Sequence, residues 1–158
     1  LGAYGVSSGG HLTLVLATSG DGGDPGAADP VDRYPCRIAA AVAVSPPTDL
    51  SGWADHPPAP LRRYPAVLRR LAMKPGPAAD ASPVYRVTPG AAPTLLVHGD
   101  CDDLVPVEHS RAMAAAISRA GVLHRFVEVR GAGHTIPLAR YAGEARAWFE
   151  EMLRPASE

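Results

Sequence analysis

The sequence predicts an α/β fold, a parallel sheet of about four strands flanked by helices. Short apolar runs alternate with helical stretches along most of the chain, and such alternation implies parallel strands joined by covering helices. One run, Arg37–Val44, is apolar from Ile38 onward, as expected of a strand buried on both faces. The last segment carries Leu138, Tyr141, Ala145, Trp148, Phe149 and Met152 three or four positions apart, a single stripe that can pack on a sheet.

In chain order, Leu1–Tyr4 reads as the end of a buried strand. It leads through Gly5-Val6-Ser7-Ser8-Gly9-Gly10 into the apolar helical stretch His11–Ala17. Ser19–Pro35, rich in Gly, Asp and Pro, reads as a surface loop, and Arg37–Val44 as the second strand. From about residue 51 to 90 the chain is irregular and holds most of the prolines, including Pro57, Pro58 and Pro60. It is expected to form a lid-like segment with a short helix around Val67–Met73. Alternation then resumes with a strand at Thr94–Val97, a helix at Val107–Ala120 closed by Gly121, a strand at Phe126–Val129 and the striped final helix. The whole of 1–158 is expected to be one domain or part of one, because this length suits a single core and leaves no obvious room for two.

Composition narrows the function classes. Apolar residues make up 46% and charged residues 20%, with a formal net charge of −1, which reads as globular and lacks the basic excess of a nucleic-acid binder. Cys36 and Cys101 are far apart and belong to no C-x-x-C pair, so they read as plain thiols, not as a metal site or disulfide framework. No apolar run approaches the roughly 18 residues of a membrane span. The chain begins with Leu, and its first motif lies four residues in, which is read as truncation. Localisation is left open, with the cytoplasm slightly favoured.

Three stretches carry chemistry. Gly5-Val6-Ser7-Ser8-Gly9 matches G-x-S-x-G between a strand and a helix, where a nucleophile needs to sit. The turn is tight enough that positions two before and two after the nucleophile must be very small. Gly5 and Gly9 meet this frame, whereas a frame on Ser8 would crowd the branched side chain of Val6. The plain alternative is a Gly-Ser connector. The second stretch, His98-Gly99-Asp100-Cys101-Asp102-Asp103-Leu104-Val105-Pro106, follows a strand and offers three carboxylates at the end of a parallel sheet where active sites form. The third, Gly131-Ala132-Gly133-His134, gives a histidine a flexible loop from which to aim its ring. His11, His56, His98, His109 and His124 read as structural. Serine, then acid, then histidine is the chain order of one hydrolase architecture.

In these stretches the chain resembles the α/β-hydrolases, specifically the bacterial esterase and lipase-like branch near feruloyl esterases, kynurenine formamidases and prolyl-oligopeptidase-type peptidases. Gly5–Leu12 is similar to its elbow, Ala81–Val84 and Ala92–Gly99 to the approach to its acid loop, and Gly131–His134 to its histidine loop. The H-G-x-x-D-x-x-V-P pattern of the resemblance places the catalytic acid at Asp102, with Asp103 and then Asp49 as alternatives. It implies the C-terminal half of the family's fold, with Ser7, Asp102 and His134 as a catalytic triad. Of the oxyanion-hole donors, only the Ser8 backbone N–H is assignable. It also implies cleavage of a small carboxylic ester through an acyl-enzyme, with no metal or organic cofactor.

The rival readings are an amide or peptide substrate on the same machinery, and a catalytically incomplete fragment. On the second, the uncovered edge of the first strand takes up the missing N-terminal half or another chain. The acidic loop Asp21–Asp24 offers too few ligands for calcium. Arg62, Arg63, Arg69 and Arg70 read as exposed charges on a short helix, with contact to an anionic substrate as the alternative, and Trp53 and Tyr64 read either as packing residues or as the lining of an acyl or aryl pocket.

Overall fold

The computed structural model describes residues 1–51, 53, 59, 62 and 80–154. The helix expected at 67–73, the prolines at 57, 58 and 60, and Arg63, Tyr64, Arg69 and Arg70 lie outside the described residues, as does most of the expected lid.

Four strands, β1 (Gly2–Val6), β2 (Ala40–Val44), β3 (Thr94–Gly99) and β4 (His124–Val129), form one sheet in the order β1-β2-β3-β4, every neighbouring pair parallel. Helix α1 (Ser8–Ser19) follows β1, α2 (Glu108–Arg119) joins β3 to β4, and α3 (Ala142–Met152) ends the described chain. Each crossover therefore advances one place along the sheet, and every strand delivers its carboxyl end to the same edge.

The period-two alternation of strand side chains divides the core into two layers. On one face Val42, Val44, Leu95 and Val97 pack with Tyr141 and Trp148, beneath α3. On the other, Ala43 and Leu96 pack with Leu14 of α1 and with Met113 and Ile117 of α2. All five residues of β2 are buried, as its unbroken apolar run demands. Each fully buried Leu, Val or Ile adds about 1.5–3 kcal/mol relative to exposure, so β2 and β3 anchor the sheet. The outer strands differ: β1 is half-covered, with Tyr4 and Val6 40–48% exposed, while β4 presents Arg125 and Glu128 to solvent, paired with Glu144 and Arg111.

Where expectation and structure part, local backbone decides. Residues 37–39 stand outside β2, and β4 begins earlier than expected, at His124. The final stripe is broken. Leu138 belongs to a separate 3-10 turn (Leu138–Arg140) and is 61% exposed, because Tyr141, at φ −140° and ψ −5°, interrupts the helix before Ala142. The stripe's remaining members do pack on the sheet, Tyr141 and Trp148 fully. In the acidic loop, Asp21, Asp24 and Asp29 each accept a hydrogen bond from the amide two residues on, capping their own turns. Both cysteines are free and exposed.

Candidate active site

Ser7 occupies the single residue between β1 and α1, at φ 55° and ψ −119°. An L-residue enters that region only when its surroundings force it, at a cost of order 1–3 kcal/mol. Here the Ser7 N–H is held by Val44 O at 2.8 Å and its carbonyl accepts from His11 N at 3.0 Å. The reversal brings the backbone of Gly9 onto Gly5, where a Cβ would stand 2.1 Å from Gly9 O. Gly5 is therefore obligatory. Gly9 is not crowded in the way expected: it is already helical, and a Cβ there would meet open space. Its backbone, not its missing side chain, makes the close approach. The amides of Ser8, Gly9 and Gly10 open α1 without intrahelical acceptors, and Ser8 is exposed beside Ser7.

His134 comes from the loop after β4. Its Nε2 lies 2.8 Å from Ser7 Oγ and its Nδ1 2.8 Å from Asp102 Oδ2. A carboxylate only accepts, so Nδ1 carries the hydrogen and Nε2 is left to receive the Ser7 hydroxyl proton. Asp102 sits in the turn after β3, 8% exposed. Its Oδ1 accepts from Leu104 N and Val105 N at 3.0 and 2.8 Å, and its Oδ2 accepts from both His134 and His98. Burial works against ionisation, but the hydrogen bonds from His134, His98 and Val105 outweigh it and hold the carboxyl well below the usual carboxylate range. Asp102 thus stays charged beneath the imidazole.

The alternatives lie elsewhere. Asp103 is exposed. Asp49 is occupied by the Ser51 amide at 2.8 Å, the Ser51 hydroxyl and the Tyr85 hydroxyl at 2.6 Å. Asp100 braces the histidine loop through Gly131 N at 2.6 Å. Of the arginines and aromatics outside the motifs, Arg62 is exposed, and Trp53 meets His109 edge-on at 5.4 Å.

Three residues that shape the site are given no part in it by the sequence reading, which takes His98 as structural. Ser45, buried at φ 47° directly after β2, donates its hydroxyl to His134 O at 3.1 Å. His98 lies against Asp102. Gly99 lets the histidine loop close onto the acid loop, since a Cβ there would stand 2.2 Å from Ala132 O and 2.6 Å from Gly133 O. The H-G pair ahead of the acid signals the last two; nothing in the sequence marks Ser45. Gly99→Ala is expected to push the His134 loop off Asp102. A displacement near 1 Å costs on the order of a hundredfold in turnover, to be read as kcat in a protein whose circular dichroism is unchanged.

His109, on α2, holds the segment that follows β2. Its Nδ1 accepts from Thr48 N at 3.2 Å and Asp49 N at 3.3 Å, which requires an unprotonated Nδ1. Burial lowers its pKa from 6.5, with the charge of Asp49 working the other way. The unfolded chain therefore takes up a proton that the folded one refuses as pH falls through 6.5. Stability then declines with falling pH, by at most about 1.4 kcal/mol per unit from this group. Urea midpoints at about pH 7.5 and about pH 5.5 should differ more in the native protein than in His109→Asn, whose amide oxygen keeps an acceptor near Nδ1.

Comparison with known proteins agrees with this architecture. A model of the BD-FAE family matches residues 1–117. Esterase LipC of Mycobacterium tuberculosis is 31% identical over 144 residues, 85% of this chain and 34% of LipC. Among solved structures, the acetyl ester-xyloside bifunctional hydrolase of Caldicellulosiruptor lactoaceticus superposes with a TM-score of 0.71 at 27% identity, over 95% of this chain and 53% of its own. Native Est2, a thermophilic esterase of Thermogutta terrifontis, superposes with a TM-score of 0.72 at 25% identity, over 99% and 57%. The chain thus spans about a third of the length of the curated relative and rather more than half of these solved ones. The parallel four-stranded sheet with its flanking helices is that of the α/β-hydrolase esterases, and the chain belongs to the BD-FAE family within them.

Proposed function

We propose that this chain carries the catalytic machinery of a serine carboxylesterase. The observation that supports it most is the unbroken hydrogen-bonded line from Ser7 Oγ through His134 to Asp102, assembled from three loops at one end of the sheet. In this reading His134 Nε2 takes the Ser7 proton as Oγ attacks the ester carbonyl. Asp102 holds the Nδ1–H tautomer and steadies the imidazolium that forms. The proton then passes from Nε2 to the leaving alkoxide, giving an acyl-enzyme and free alcohol. Water, deprotonated in turn by His134, releases the acid. The Ser8 N–H, at the positive end of α1, is assigned to the oxyanion.

The relatives favour an ester: LipC is named an esterase, and the Caldicellulosiruptor protein is named for acetyl ester-xyloside hydrolysis. A second oxyanion donor is assigned to a segment or chain that pairs with the free edge of β1. Among the described residues that strand is hydrogen-bonded to β2 alone. Such donors contribute about 3–4 kcal/mol each, so weak turnover is expected wherever that pairing is absent. The whole of 1–158 is taken as part of one hydrolase domain.

A panel of short-chain nitrophenyl esters and matched anilides tests the proposal. Ester cleavage above the anilide rate is expected; anilide cleavage in preference to ester would replace the esterase reading with an amidase.

A further inference from the structure

The carboxylate of Asp102 is held by two imidazoles. His98, at the end of β3 and fully buried, places Nε2 3.1 Å from Asp102 Oδ2 and 2.9 Å from Val105 O, while Nδ1 lies 2.7 Å from Ser110 Oγ on α2. Both groups facing Nε2 are acceptors, so Nε2 carries the hydrogen, and Nδ1 receives the Ser110 hydroxyl. Reversing the ring would turn carbons toward Val105 O, Asp102 and Ser110, so all three contacts fix its orientation.

Oδ1 of Asp102 is pinned by two turn amides, Leu104 N and Val105 N. Those bonds hold one oxygen, while Oδ2 receives the N–H groups of both His134 and His98. The His98 N–H is thus a second donor on the oxygen that His134 Nδ1 uses. The same N–H reaches Val105 O, so one donor ties the turn's two ends together.

We propose that His98, oriented by Ser110, is a positioning residue that fixes the Asp102 carboxylate on the line to His134. The inference rests on the serine-hydrolase reading, since its kinetic consequence requires turnover through Ser7. Its geometric consequence does not. His98→Phe keeps a ring of similar shape but no donor, and His98→Gln keeps an amide N–H near the Nε2 position.

The test combines proton NMR of the low-field His134 Nδ1–H resonance with ester kinetics on the same full-length samples. In His98→Phe the resonance should broaden or vanish, and kcat should fall about ten- to a hundredfold, with KM within about twofold. His98→Gln should recover most of both. An intact resonance in folded His98→Phe, or a change confined to KM, would overturn the proposal. If His98→Phe does not fold, Ser110→Ala keeps the histidine and removes the contact that anchors its Nδ1. A weakened resonance in Ser110→Ala then supports the role, and an unaltered one contradicts it. Ester cleavage that survives Ser7→Ala would remove the serine reading alone, with the NMR result still deciding the hold of His98 on Asp102.

Discussion

Replacing Ser7 by alanine is expected to lower ester turnover roughly a millionfold without unfolding the chain. In the proposed mechanism the hydroxyl is the group that forms the bond to the acyl carbon: His134 Nε2 is aimed at it, and Asp102 lies behind the imidazole. The backbone at residue 7 is held by Val44 O and His11 N, bonds that alanine also makes. Alanine bears the positive φ no worse than serine. The measurement is ester hydrolysis alongside a thermal melt, with loss of rate and retention of the melt as the joint expectation.

Asp102→Asn is expected to cost about ten-thousandfold in kcat, for a reason readable in its four hydrogen bonds. Leu104 N and Val105 N both donate to Oδ1, so the asparagine carbonyl is drawn to that position and its NH2 group to the position of Oδ2. There the NH2 faces His134 Nδ1 and the His98 N–H. It donates to His134 and forces the hydrogen onto Nε2, where the ring can no longer accept from Ser7. The substitution also removes a titration. Asp102 ionises below its unfolded value of 3.8, so its contribution to stability is fully present above that value and is lost as pH falls below it. The variant should show a shallower loss of stability in acid, read by urea titration across the carboxylate range.

Local pattern carried most of the fold. The unbroken apolar run of β2, the glycine closing α2 at φ 70° and the stripe over α3 each depend on near neighbours in sequence, and such patterns are legible there. Leu138 fitted the period but fell outside the helix, because spacing registers faces and not the dihedral break at Tyr141. At the site, short local signatures named Ser7 and His134 and the resemblance chose Asp102 among three carboxylates, and the structure brings these three side chains within hydrogen-bonding reach. Gly9 shows the frame's limit: the pattern asks for a small residue there, while the direction of its missing Cβ is set by where α1 begins. Ser45 was beyond reach for a different reason. Its hydrogen bond spans 89 residues of sequence and exists only once β2 and the histidine loop meet at the sheet edge.

Covalent capture tests the central claim most directly. An organophosphorus probe reacts with a serine hydroxyl only as fast as an adjacent base activates it, and the adduct can be located by mass spectrometry of peptides. The account predicts a single adduct on Ser7, formed rapidly in the native chain and slowly or not at all in His134→Ala. An adduct on another serine, or labelling of Ser7 at the same rate without His134, would contradict it.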